Sequence, residues 1–513
     1  MTSRKSRRRA DVELPFAIGP SSNGEFIPAA PAPRHRAATE LALQRAADVA
    51  RRTGVDRRRF MHGLGAIAVT LGAINELAAC SDAAPSAGAD LDAGARDVGG
   101  EFVVPDAHDA AATCAALAGD EFIFDVQTHH VEPGGAWVSA EADIARTLRI
   151  IGPDCGPADK LECLTRYHYL RDIYLRSDTS MSVLSAVPST SPDVNPLTFS
   201  MSRETINLLD QLAAGGAPRA LLHTAVVPNG GNLQAALDLM QKHSESNAIA
   251  AWKVYTPYVP QGGAAYFLDD AAVGVPMIEK ARSLGIKTIC AHKGLPLFGF
   301  SAQHASPRDV GVVAARFPDV RFVIYHSGWD PAVSEGPYDA SNARGIDALI
   351  KSLADNNIAP NSNVYAELGT TWRNLMSEPT QAAHALGKLL VHVGEDRVLW
   401  GTDSIWSGSP QPQIVAFRAF EITPAFQQLY GYPALSKALK AKVLGLNAAA
   451  LYNVDVAARR CALDADEVEK LRLAFGGDLQ LRDDTPYPTR GPTTRRALLR
   501  FLARHGQRKW TPS

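Results

Sequence analysis

Several short segments, far apart in the chain, each end an apolar run on a residue that binds metals or moves protons. The first is Phe122-Ile-Phe-Asp125-Val-Gln127-Thr-His129-His130. Lys253 closes a second run, His292 a third (Thr288-Ile-Cys-Ala-His292), His326 a fourth (Phe322-Val-Ile-Tyr-His326), Glu367 a fifth and Asp403 a sixth (Val398-Leu-Trp-Gly-Thr-Asp403). Side chains alternate across a strand, so Gln127 and His129 share a face with Asp125 below them, and Thr128 and His130 take the other. Two inward ligands at i and i+2 would form half of a metal cradle, with imidazole and carboxylate from the later runs as the other half. A single His after an apolar run is more often a satisfied structural residue. Recurrence at the same end of several runs argues against coincidence.

These residues need elements that bring run ends together. Eight runs have the continuous hydrophobicity of parallel strands buried on both faces: 122–129, 182–188, 220–228, 249–255, 286–292, 321–326, 363–367 and 397–403. Amphipathic stretches between them read as helices, including 202–214, 232–244, 272–284, 307–317 and 342–356. Strand-then-helix repetition specifies an α/β fold, a (β/α)8 TIM barrel over 119–456, with its site at the strand C-termini. The first βα connection, about 131–180, is long enough to cap a site, and Tyr167–Tyr174 reads as a lid helix within it. Residues 440–451 form a closing helix. Residues 457–513 read as a C-terminal helical extension packed outside the barrel.

The chain has 513 residues, 46% hydrophobic and 21% charged, with a net charge of −2. That balance excludes a disordered chain and gives no global pull toward nucleic acid or an anionic membrane. Arginines cluster at both ends and read as solvated tails. Residues 1–118 read as basic tail, signal and low-complexity linker. Within them Asp56-Arg57-Arg58-Arg59-Phe60-Met61, followed by a Gly/Ala-rich apolar run, resembles a twin-arginine export signal. Leu77-Ala-Ala-Cys80 resembles a lipoprotein cleavage box. The implied partner is the twin-arginine machinery, and the implied place is the periplasm, with a lipid on Cys80 as the membrane tether. A cytosolic amphipathic helix is the alternative. No run of about 18 strongly apolar residues suggests a spanning helix. Of six cysteines, none has zinc-knuckle spacing. Cys155 and Cys163 are placed to bridge in an oxidising compartment, or to stay as free thiols.

The strand-end set resembles the amidohydrolase superfamily, specifically the amidohydrolase-related branch that includes aminocarboxymuconate-semialdehyde decarboxylase-like enzymes. The resemblance spans roughly 120–455. Its carriers are Asp125-Val-Gln127-Thr-His129, Cys290-Ala-His292, Tyr325-His326-Ser-Gly-Trp329, Gly401-Thr-Asp403 and Val443-Leu-Gly-Leu-Asn447-Ala-Ala-Ala-Leu-Tyr452. It implies a divalent metal, zinc first, on Gln127, His129, His292 and Asp403. Asp403 would then shuttle the water proton, and His326 would steady the oxyanion. It implies Lys253 against a small-molecule substrate, and homodimers are common among relatives; Glu367, Trp372 and Trp406, at or just beyond strand ends, are placed to line the same pocket. The departure is Gln127, where the family has His. An amide oxygen is a weaker zinc donor than imidazole, so the metal has fewer strong ligands, is manganese- or magnesium-like, or is absent. Three functions follow: hydrolysis of an amide, ester or lactone; decarboxylation of an aromatic or unsaturated acid; or binding without catalysis.

Overall fold

The computed structural model describes residues 13–23, 27–81, 98–153, 159–213, 217–246, 249–296, 299–342, 344–463, 466–475 and 491–505. Its centre is an eight-stranded parallel sheet. The strands are β1 (Ile123–Thr128), β2 (Thr179–Ser185), β3 (Ala220–Val226), β4 (Ile249–Tyr255), β5 (Thr288–His292), β6 (Arg321–Tyr325), β7 (Val364–Glu367) and β8 (Val398–Leu399), each paired to the next in order. The seam from β8 back to β1 is joined by backbone bonds from Val126 to Trp400 (3.0 Å), His129 to Ser404 (2.7 Å) and Asp403 to Gln127 (2.9 Å). The ring is a (β/α)8 barrel, and all eight expected runs form its strands.

Alternation along the strands separates two cores. Phe124, Val126, Met181, Val183, Ala251, Cys290, Val323, Tyr325 and Leu399 pack together within the ring, with Ala448 and Leu451 from the closing helical segment. Their neighbours Ile123, Trp252, Val254, Ile289, Phe322, Ile324 and Val398 join the larger core beneath the helices. In β1 the pairing register breaks between Asp125 and Thr128. Such an irregularity re-aims the side chains that follow it. Asp125, just before the break, accepts from the Gln127 backbone N–H at 3.2 Å. It turns to Thr402, accepting bonds from the Thr402 backbone N–H (3.0 Å) and hydroxyl (2.5 Å).

Two segments differ from expectation. Within the residues read as tail, Pro33–Thr53 form helix α1; α2 (Arg57–Met61) and α3 (Leu64–Ser81) follow it. Ala42, Ala46 and Val49 of α1 pack on Phe60, Ala66 and Val69, while Ile67, Leu71 and Ile74 of α3 enter the main core. Ala-rich spacing hid this face: small residues give little periodic contrast yet allow close helix contact. The Tyr167–Tyr174 stretch is helical, as expected, but does not form a lid. It builds a second core with Leu208, Leu209, Val468, Leu498 and Phe501. Its Tyr169 hydroxyl reaches Thr128 (3.0 Å) and Ser182 (2.7 Å). Cys163 is disulfide-bonded; the Cys155 end of the expected bridge lies outside the described residues. No described helix is long and apolar enough to cross a membrane.

Candidate active site

The C-terminal ends of the strands bring the expected residues together. His129 Nε2 lies 3.0 Å from Asp403 Oδ1, and its Nδ1–H donates to the Ser185 carbonyl at 2.6 Å. The ring thus faces an acceptor on each side. Trp406 stacks on it, with centroids 5.7 Å apart, and donates to Asp403 Oδ1 at 3.3 Å. The Gln127 amide donates to the same oxygen at 3.0 Å, while its own Oε1 is buried without a hydrogen-bond partner. Asp403 Oδ2 accepts from Thr370 (2.6 Å) and Asn23 (3.0 Å). Burial pushes the Asp403 carboxyl up, but the hydrogen bonds from His129 and Thr370 hold it below its ordinary value.

A second pair joins β5 to β6. His326 Nδ1–H donates to the Gly369 carbonyl at 2.8 Å, and its Nε2 lies 3.1 Å from His292 Nδ1. Burial lowers the His326 imidazole to about 4 and His292 well below its usual value, so both rings are neutral at pH 7. His292 Nε2 in turn lies 3.5 Å from the Leu295 carbonyl, so both nitrogens of that ring face acceptors and its single proton serves either the carbonyl or His326 Nε2.

Glu367 accepts from the backbone N–H of Gly369 (2.6 Å) and of His326 (3.1 Å). Burial raises its carboxyl to about 8 despite those bonds, so it is largely protonated at neutral pH. Two glycines make room for it. A Cβ on Gly401 would stand 1.6 Å from Glu367 Oε1, and one on Gly369 2.6 Å from it. Lys253 is fully buried, its ammonium 3.4 Å from the Tyr325 ring centroid and 4.7 Å from that of Tyr255. Desolvation of that kind strengthens a cation–π contact.

Backbone strain concentrates here. His326 (φ 67°), Ser327 (φ 54°), Thr370 (φ 58°) and Asp403 (φ 58°) are left-handed although none is glycine. A β-branched threonine in that region is costly and persists only where surrounding contacts over-determine it. Trp372 is the expected site residue that lies elsewhere. Its Nε1–H donates to the Gln413 carbonyl (3.0 Å), and its ring packs on Phe417 and Phe420, so it is a packing residue. Thr370 and Asn23 were missed. Thr370 sits in Gly369-Thr-Thr, placed after β7 as Gly401-Thr402 is after β8, a signal available in hindsight.

Residues 204–454 match the amidohydrolase family model. This match supports the amidohydrolase superfamily. It covers Lys253, His292, His326, Glu367 and Asp403 and begins after β1, leaving Gln127 and His129 outside. No curated protein matches the chain. Among solved structures, the chain is similar to an uncharacterised TIM-barrel protein from Bordetella bronchiseptica, at 16% identity and a TM-score of 0.38, over 66% of this chain and 100% of that one. It is similar to a dihydroorotase from Campylobacter jejuni, at 14% identity and 0.36, over 65% and 84% of the two chains. It is also similar to a 2,6-dihydroxybenzoate decarboxylase in complex with 2,6-dihydroxybenzoate, at 15% identity and 0.35, over 65% and 100%.

Amidohydrolases usually hold a divalent metal, and the arrangement here does not fit one. Both Asp403 oxygens accept from protein donors, and the Gln127 amide presents N–H to Asp403. Among the described residues, no group of three or more His, Cys, Asp or Glu side chains is set to hold an ion.

Proposed function

We propose that the protein is an amidohydrolase-type hydrolase that cleaves an amide, ester or lactone of a small carboxylate or aromatic molecule. The observation that carries this reading is the meeting of a neutral His292–His326 imidazole pair and a protonated Glu367 carboxyl at the strand C-termini. Two titratable groups driven to opposite protonation states are what acid–base catalysis needs. Water attacks the substrate carbonyl carbon and yields its proton to the hydrogen-bonded His292–His326 pair. The Glu367 carboxyl supplies a proton to the leaving nitrogen or oxygen. Lys253 holds a substrate carboxylate or polarises the carbonyl. Asp403, stabilised as an anion, fixes His129 rather than taking the water proton.

One observation favours a second reading. A buried cation, Lys253, beside a carboxyl that remains protonated near pH 7 also suits decarboxylation, in which Lys253 would bind the departing carboxylate and Glu367 protonate the carbon. Incubation with a panel of N-acyl amides, esters, lactones and aromatic acids separates the two. Hydrolysis products lost in His292→Ala support the first reading. Carbon dioxide release without hydrolysis moves the assignment to the second, and turnover of neither class refutes both.

A further inference from the structure

The N-terminal segment Glu13–Asn23 lies across the site. Gly19 N–H donates to Ser377 Oγ (3.0 Å), Ser21 N–H to Asn374 Oδ1 (2.8 Å), Asn374 Nδ2 to the Ser21 carbonyl (3.2 Å) and Arg373 Nη2 to the Ala17 carbonyl (2.9 Å). Ser21 and Ser407 hydroxyls meet at 3.2 Å. Phe16 and Ile18 are buried. The anchors come from the short helix Thr371–Leu375 and Ser377 after β7 and from Ser407 after β8, close in sequence to Thr370 and Asp403. The segment ends at Asn23, 3% exposed, whose Nδ2 donates to Asp403 Oδ2 at 3.0 Å.

We infer that this segment is a built-in strap over the site, with Asn23 the positioning residue that occupies the Asp403 carboxylate where a divalent ion would otherwise bind. Asp403 Oδ1 is taken by His129, Gln127 and Trp406, and Oδ2 by Thr370 and Asn23. Of these donors, Asn23 alone comes from outside the barrel, so it can leave without unfolding the ring. Gln127 acts with it. An imidazole there would offer a lone pair to an ion, whereas the amide fills the same space with an N–H aimed at the carboxylate. The inference rests on the reading of Asp403 as the carboxylate of the site. It goes further in assigning control of that carboxylate to a segment more than 350 residues away in sequence.

The test is zinc titration by calorimetry on the full-length chain, for wild type, Asn23→Ala, Gln127→His and the double variant, with thermal melting as a check on folding. Removing a competing intramolecular occupant raises apparent affinity by the inverse of the competent fraction. Asn23→Ala is expected to tighten zinc binding by roughly tenfold or more, and the double variant further still. Asn23→Gln should bind zinc like wild type if a side-chain amide is what matters. Equal, tight 1:1 binding by wild type and Asn23→Ala would overturn the strap. So would absence of zinc uptake by every variant. The readout does not depend on turnover, so failure to find a substrate leaves the isotherms as informative as before.

Discussion

Asp403 and His129 stand 3.0 Å apart, each almost wholly buried, although 274 residues separate them in the chain. The contact is made by the barrel seam: Asp403 N–H bonds to the Gln127 carbonyl, and His129 N–H to that of Ser404. Backbone pairing thus holds the two side chains before any ligand arrives. Replacing Asp403 with Asn keeps the shape but takes away the charge facing His129. Turnover is expected to fall by about 10²-fold or more while circular dichroism stays that of the folded chain. Full activity in Asp403→Asn would remove the residue from the mechanism.

The buried Glu367 carboxyl sets a pH dependence. Its folded value, about 8, stands above the ordinary glutamic-acid value. The folded state therefore binds the extra proton, and the associated stability is fully present below the ordinary value and is lost as pH rises through about 8. Urea denaturation at pH 6 and pH 9 should show wild type losing stability at the higher pH. Glu367→Gln should flatten that difference, and an unchanged slope would show that Glu367 is already ionised at pH 6.

The two tryptophans separate packing from chemistry. Trp372→Ala opens a cavity among Phe417 and Phe420 and is expected to cost about 3–5 kcal/mol of stability. Trp406→Phe keeps most of the volume but removes the N–H to Asp403 and alters the stack on His129. It should lower turnover with little change in melting temperature. The reverse pattern would exchange the two roles.

Helix α3 makes the third contrast. Leu71 and Ile74 belong to the main core, and Asn75 brackets the Phe102 backbone with bonds of 2.8 and 2.9 Å. Leu71→Ala is expected to destabilise by about 2–5 kcal/mol, read by thermal melting. A chain cut before Cys80 would lose this packing and the Asn23 strap together and should melt at a lower temperature than the full chain. An unchanged melting temperature in both would show that α3 adds nothing to the stability of the barrel.

What was legible follows from where the physics is local. Parallel strands buried on both faces read as unbroken apolar runs, so all eight were visible, and so were His129, His292, His326, Glu367 and Asp403 at their ends. Less visible was anything set by contacts distant in sequence. Asn23 sits in a Pro/Gly/Ser-containing stretch with no periodicity and acquires its role only on the Thr370 and Asp403 loops. Asp125 turns toward Thr402, and no alternation rule shows it. Helix α1 hides its contact face in alanines. Trp372 was placed by its nearness to Glu367 in sequence, yet its ring packs on Phe417 and Phe420.

The central claim is that side chains from opposite ends of the barrel sequence form one catalytic unit. A double-mutant cycle on turnover tests it, using His129→Ala, Asp403→Ala and the pair on the best substrate of the panel. Residues acting as a unit are strongly non-additive. The account predicts that the double variant is about as impaired as either single one. Independent, multiplying losses, or wild-type turnover in either single variant, would contradict it.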